Sequence, residues 1–240
     1  MDDKRFVVET VLKQYNGNES VVTIPSDVTE IGVSAFHNTT YDKYEKLTSV
    51  IFPENLRHIG NFAFANCWEL KEVVFPDSLL TIGINAFFAC EKITHIHIPK
   101  NVRYIESSAF LDCFELAVIT ADENNSTFRA EDNCLIESAT NTLVLGGITS
   151  KIPTSVTAIG KGAFAGRNIE TLTIPEGVRS IGDSAFARCI NKLTDMFIPA
   201  SVIEIDNSAF MWCGEFTIHA PAGSYAEQYA KENNIPFMAE

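Results

Sequence analysis

No apolar run in the 240 residues approaches the roughly 18–20 that a membrane-crossing helix requires, so membrane insertion is not expected. Cationic residues are scarce: 18 Lys and Arg stand against 31 Asp and Glu, for a formal net charge of −13. A phosphate backbone attracts the opposite balance, so no nucleic-acid partner is expected. The six cysteines include no C-x-x-C pair, which removes zinc-ribbon and thioredoxin-type spacing. Met1 is followed by Asp2 and Asp3 and by no apolar signal segment, so a cytoplasmic location is expected if Met1 is the native start. What the chain does have is 46% hydrophobic residues, enough for a large core.

Those residues recur. Ala-Phe pairs end at Phe36, Phe64, Phe87, Phe110, Phe164, Phe186 and Phe210. Five residues before each Phe stands Ile31, Ile59, Ile82, Ile105, Ile159, Ile181 or Ile205, followed by Gly except at Glu106 and Asp206. Further upstream comes an apolar-Pro pair, such as Phe52-Pro53 and Ile98-Pro99. A fixed period near 23 residues is the signature of a solenoid, whose units bury their apolar faces only by stacking.

One unit shows the logic. Ile96 and Ile98 alternate with the polar His95 and His97, a strand with one face buried. Pro99 ends the strand because it cannot donate to a ladder. Val102 and Ile105 turn inward on the return, Ala109-Phe110 fills the far side, and Cys113 closes the coil. The reading is a mainly β solenoid with one parallel strand per coil of about 23 residues, joined by short convex turns.

The pattern Leu70-x-x-Val73-x-Phe75-Pro76, Leu79-x-x-Ile82-Gly83, Ala86-Phe87 and Cys90 resembles the BspA-like, pallidum-type leucine-rich repeat of bacterial proteins. The resemblance covers roughly residues 20–219. It implies a right-handed leucine-rich-repeat superhelix that binds other proteins without catalysis, in a family common at the bacterial cell surface. A cell-surface or secreted location is therefore the alternative to a cytoplasmic one.

The chain reads as a single repeat domain over 1–240. An N-terminal β-hairpin cap is expected over 1–24, repeats over 25–219, and a C-terminal helical cap over 220–240. The cap helix carries Tyr225, Ala226, Tyr229 and Ala230 at i, i+4 spacing. Two departures interrupt the register. An insert runs from His37 to Glu45, and an irregular unit over 122–150 holds apolar runs around Ser138-Ala139-Thr140-Asn141 that read as a β-hairpin.

Chemistry-bearing motifs are weak. Cys67, Cys90, Cys113, Cys189 and Cys213 share one repeat position, with Thr39 in the same slot, so they read as small buried plugs. Many free thiols also fit a reducing compartment. Gly160-Lys161-Gly162-Ala163-Phe164-Ala165-Gly166 misses a phosphate loop by one position, and Gly182-Asp183-Ser184-Ala185-Phe186 stops short of a nucleophile elbow. No enzyme and no cofactor are expected.

A partner has the outward residues of the strands to contact. Candidate contacts are Ile51, Glu72, Val74, His95, His97, Thr120, Thr173, Asp195, Phe197 and His219. Ile51, Val74 and Phe197 stand out as apolar residues with no intramolecular reason to be exposed. The function expected is that of a monomeric protein-interaction solenoid, scaffold or adhesin-like. Alternatives are a glycan-binding surface or a metal site at His95, His97 and Glu72.

Overall fold

A computed structural model describes residues 6–8, 10–37, 46–189 and 193–240. Thr39 and the insert beyond His37 lie outside the described residues. The chain forms two compact units, Met1–Thr127 and Phe128–Glu240.

Unit 1 holds β1 (Phe6–Val8), β2 (Val11–Tyr15), β3 (Val21–Thr23), β4 (Glu30–Ile31), β5 (Ser49–Ile51), β6 (His58–Ile59), β7 (Glu72–Val73), β8 (Thr81–Ile82), β9 (His95–Ile98), β10 (Tyr104–Ile105) and β11 (Val118–Ala121). β1 and β2 form an antiparallel hairpin, and β2 pairs in parallel with β4. From there each coil adds the expected parallel strand and a second one of two residues. One series builds the ladder β2-β4-β6-β8-β10, and the other builds β3-β5-β7 and, separately, β9-β11.

The extra ladder comes from the Ile-Gly pair. Ile31, Ile59 and Ile82 are buried, while Gly32, Gly60 and Gly83 donate to Leu12 O, Ile31 O and Ile59 O of the coil beneath, at 2.9, 2.7 and 2.9 Å. At Gly60 a Cβ would sit 2.8 Å from Ile31 O, so the close approach of two backbones demands glycine. Glu106 and Asp206, which depart from this rule, belong to the last Ala-Phe coil of each unit.

Unit 2 repeats the scheme. Its strands are β12 (Phe128–Glu131), β13 (Cys134–Glu137), β14 (Thr142–Gly146), β15 (Ala158–Ile159), β16 (Thr171–Thr173), β17 (Ser180–Ile181), β18 (Asp195–Phe197), β19 (Glu204–Ile205), β20 (Thr217–Ala220) and β21 (Phe237–Ala239), with α1 (Tyr225–Glu232) between the last two. β12, β13 and β14 form an antiparallel meander that contains the expected hairpin, and β14 pairs in parallel with β15. The irregular segment thus starts a second stack much as β1-β2 starts the first. β14-β15-β17-β19 is its first parallel ladder and β16-β18-β20-β21 its second.

Each Ala-Phe phenylalanine stacks on the one below. In unit 1 the ring centroids of Tyr15, Phe36, Phe64, Phe87 and Phe110 are 4.9, 4.7, 5.2 and 5.2 Å apart in succession. In unit 2 Phe164, Phe186 and Phe210 are 5.3 and 5.2 Å apart. These spacings match the ~4.8 Å between paired strands, so backbone and rings share one repeat. At the start of unit 2 Gly146 stands beneath Phe164, and a Cβ there would collide with that ring.

The helix seals the last coil. Ser224 caps it by accepting from Glu227 N, and Ala226, Tyr229 and Ala230 are buried. Tyr225, expected on the same face, is exposed instead.

Phe87→Ala removes a ring stacked on both sides and is expected to cost ~3–5 kcal/mol in chemical unfolding. Gly146→Ala is expected to destabilise unit 2 by about 1–3 kcal/mol through overlap with Phe164. Both are read from unfolding midpoints at unchanged slope.

Candidate functional site

The repeated cysteines are more than apolar plugs. Cys67, Cys90 and Cys113 donate to Phe36 O, Phe64 O and Phe87 O at 3.4, 3.2 and 3.2 Å. Cys189 and Cys213 do the same to Phe164 O and Phe186 O at 3.3 and 3.0 Å. Each thiol therefore satisfies a phenylalanine carbonyl of the coil beneath. All six cysteines are free, and burial pushes the Cys67 and Cys90 thiols well up and Cys134 to about 11. Cys67, Cys90 and Cys134 are thereby held as buried, protonated thiols of low reactivity, whereas Cys213 is partly exposed and its hydrogen bond with Cys189 lowers its pKa.

Sequence reasoning missed Arg167, which occupies this cysteine position in the first Ala-Phe coil of unit 2. It is 1% exposed and donates from Nε to Gly146 O at 3.0 Å and from Nη1 to Ala165 O at 3.2 Å. The signal was in the register, three residues after Phe164. Its long side chain reaches the carbonyl of Gly146, whose side-chain position is taken by the Phe164 ring.

The near-motifs resolve into structure. Ser184 Oγ donates to Asp183 Oδ1 of its own turn at 2.7 Å, not to a histidine base. Asp183 also accepts from Ser208 Oγ at 2.7 Å and pairs with Lys161 at 2.7 Å. Lys161 first, then Ser184 and Ser208, hold the Asp183 carboxyl down to about 2. Gly162 and Gly166 have φ of 64° and 67°, the same left-handed turn positions that Asn85 and Ala89 occupy elsewhere.

The metal alternative finds no support in the geometry. His95 and Glu72 lie on β9 and β7, which belong to separate ladders. His97 Nδ1 lies 2.9 Å from Thr120 Oγ1. Among the described residues no group of three His, Cys, Asp or Glu gathers to hold a metal ion.

The outward stripes differ between units. In unit 1 Val74 is 75% exposed and Ile51 51% exposed, and Glu72, His95, His97 and Thr120 are exposed as well. Beside Val74 the ladder ends, because β7 stops at Val73 and does not pair with β9. A recess of about 800 Å3 lies there, its apolar lining given by Val21, Ile51, Phe52, Val74 and Phe75. In unit 2 Thr173 is exposed, but Phe197 and His219 are not free. Their rings stack at 4.4 Å. His219 is 9% exposed, with Nε2 2.7 Å from Asp195 Oδ1 and Nδ1 3.1 Å from Glu240 Oε1. The cause is β21, a strand not anticipated in the C-terminal cap, which pairs alongside β20.

Stacked coils with an exposed strand face define a solenoid repeat protein. Residues 14–139 and 148–223 match the BspA-type leucine-rich repeat region in six copies, and the chain belongs to this family. It is similar to a leucine-rich repeat protein of Eubacterium ventriosum, with 27% identity and a TM-score of 0.68 over 85% of this chain. The chain spans 54% of that protein's length. The Treponema pallidum leucine-rich repeat protein shares the fold at 20% identity and TM-score 0.52, covering 100% of this chain and 99% of its own. The pneumococcal vaccine antigen PcpA does so at 17% identity and TM-score 0.56, covering 93% and 80%. No curated protein matches the chain. Among the described residues no helix is long and apolar enough to cross a membrane.

The Asp183 carboxyl, depressed below its unfolded value of about 3.9, contributes stability above that pH and loses it as pH falls toward 2. Asp183→Asn is therefore expected to flatten the acid limb of stability against pH, measured by urea unfolding from pH 2 to 6.

Proposed function

We propose that the chain is a non-enzymatic protein-interaction module whose partner docks on the strand face of unit 1. The observation that carries this reading is the pair Ile51 and Val74, exposed side by side over the apolar recess. A folded monomer gains nothing by leaving them in water. Glu72, His95, His97 and Thr120 supply a polar rim on the same unit, the usual surround of an apolar contact. Asp195, Phe197 and His219 bond mainly to one another and to Glu240, so they are not counted among the contacts. The ring of Phe197 is engaged by His219 and so is not offered to a glycan on the strand face.

The reading makes the chain a scaffold or an adhesin-like module. Membership in a family of interaction repeats supports it. So does a mechanism of binding that needs only a rigid face: preformed strands lose little conformational freedom on docking. We place the partner outside the producing cell, because the repeat family to which the chain belongs is common at the bacterial cell surface.

The test is affinity capture from matrix and host-cell extracts, quantified by mass spectrometry against Ile51→Asp with Val74→Asp. Both positions are exposed, so the double variant is expected to keep its unfolding midpoint and lose captured partner at least about 10-fold. Equal capture by both proteins removes the unit 1 face as the docking site.

A further inference from the structure

The left-handed turn after each Ala-Phe pair carries its own hydrogen-bond ladder. Phe64 N donates to Ala86 O at 2.7 Å and Asn66 N to Phe88 O at 2.7 Å. Phe87 N and Ala89 N bond to Ala109 O and Leu111 O at 2.8 and 2.9 Å. In unit 2 Phe164 N and Gly166 N bond to Ala185 O and Ala187 O at 2.7 and 2.8 Å, and Phe186 N and Arg188 N to Ala209 O and Met211 O at 2.8 and 3.0 Å. The rule is constant: two N–H groups, two residues apart, receive two carbonyls, two residues apart, from the next coil.

The last coil breaks the rule in a graded way. Asp206 accepts from Ser208 N at 2.8 Å, which satisfies one outward N–H from within the turn. Among the described residues the N–H groups of Phe210 and Trp212 find no acceptor. β21 extends the strand ladder past β20 and α1 packs on the core, but neither supplies carbonyls to this turn. A recess of about 340 Å3 stands in that place, walled by Phe210, Cys213, Phe216 and Tyr229 on the coil and helix side and by Asn234 and Ile235 on the other. Trp212 stands exposed next to it.

We infer that this recess binds a peptide segment of a partner protein that takes up the same left-handed turn as a coil of the stack. Two of its carbonyls, two residues apart, accept from Phe210 N and Trp212 N, and an apolar side chain between them enters beside Met211 and Ile235, since the Phe210 ring already packs on Phe216 and Tyr229. The argument is continuity with the interface between coils, which shows four times over what such a pair of donors takes. Backbone pairing supplies affinity and the recess supplies selectivity, the division of roles general to peptide recognition through the main chain. Asn207 on the exposed rim and Asn234 add polar groups that orient the segment. The site is separate from the Ile51 and Val74 face and stands or falls independently of it.

The probe is the capped hexapeptide Asp-Ser-Ala-Phe-Ala-Arg, a copy of residues 183–188, which offers carbonyls to Phe164 N and Gly166 N within the protein itself. It is titrated into the isotope-labelled chain and followed by amide chemical shifts. The expected result is saturable change at Phe210, Trp212 and residues 213–216 and 233–236, with a dissociation constant of about 0.1–1 mM. Asn207→Trp, at an exposed rim position, is expected to weaken binding about 10-fold with an unchanged circular dichroism spectrum. Absence of shifts at these residues, or binding unaffected by Asn207→Trp, overturns the proposal. Concentration-dependent self-association that Asn207→Trp abolishes also overturns it, by making a second copy of the chain the occupant.

Discussion

The structure depends on the match between two spacings. Hydrogen-bonded strands repeat at ~4.8 Å, and so do offset aromatic rings. Because the Phe rings of successive coils stack at 4.7–5.3 Å within each unit, the core and the backbone ladders advance in step. Everything else adapts to that step. Glycine follows isoleucine because two backbones pass too closely for a Cβ. Cysteine fills the slot after phenylalanine because a small weak donor reaches the carbonyl below without disturbing the ring above.

A stack of this kind must be started and stopped. Both units start with antiparallel strands whose last member turns parallel to the first coil, β2 onto β4 and β14 onto β15. Tyr15 lays a ring beneath Phe36, whereas unit 2 sets Gly146 beneath Phe164 and reaches it with the buried Arg167. The two beginnings solve one problem with different chemistry. The end of unit 2 is closed on the strand side by β21 and over the core by α1, while the turn side keeps two donors open. What is left uncovered in unit 1 is a strand face with an apolar recess at Ile51 and Val74.

The repeat was legible because its residues are read by chemistry that a sequence displays. Pro99 stops a strand, Ile98 alternates with His97, and Ala109-Phe110 marks the far side. The second ladder was not legible, because two-residue strands such as Thr81–Ile82 have no periodicity of their own; only the glycine after Ile82 hints at a close backbone. β21 was hidden because Phe237-Met238-Ala239 pairs with a strand its own sequence does not reveal. That pairing is what covers His219: Ile51 and Val74 stand exposed, whereas the rings of Phe197 and His219 stack on each other. Arg167 was visible in the register, but its partner, the Gly146 carbonyl 21 residues away, was not.

Amide hydrogen exchange tests the shared step most directly, since it reads the turn ladder coil by coil. The account predicts that the amides of Phe64, Phe87, Phe164 and Phe186, each bonded to the next coil, exchange only through large-scale opening, while those of Phe210 and Trp212 exchange at near-unprotected rates. Exchange at Phe64 and Phe87 as fast as at Trp212 would contradict it, because the coils would then not be locked together through their phenylalanine turns.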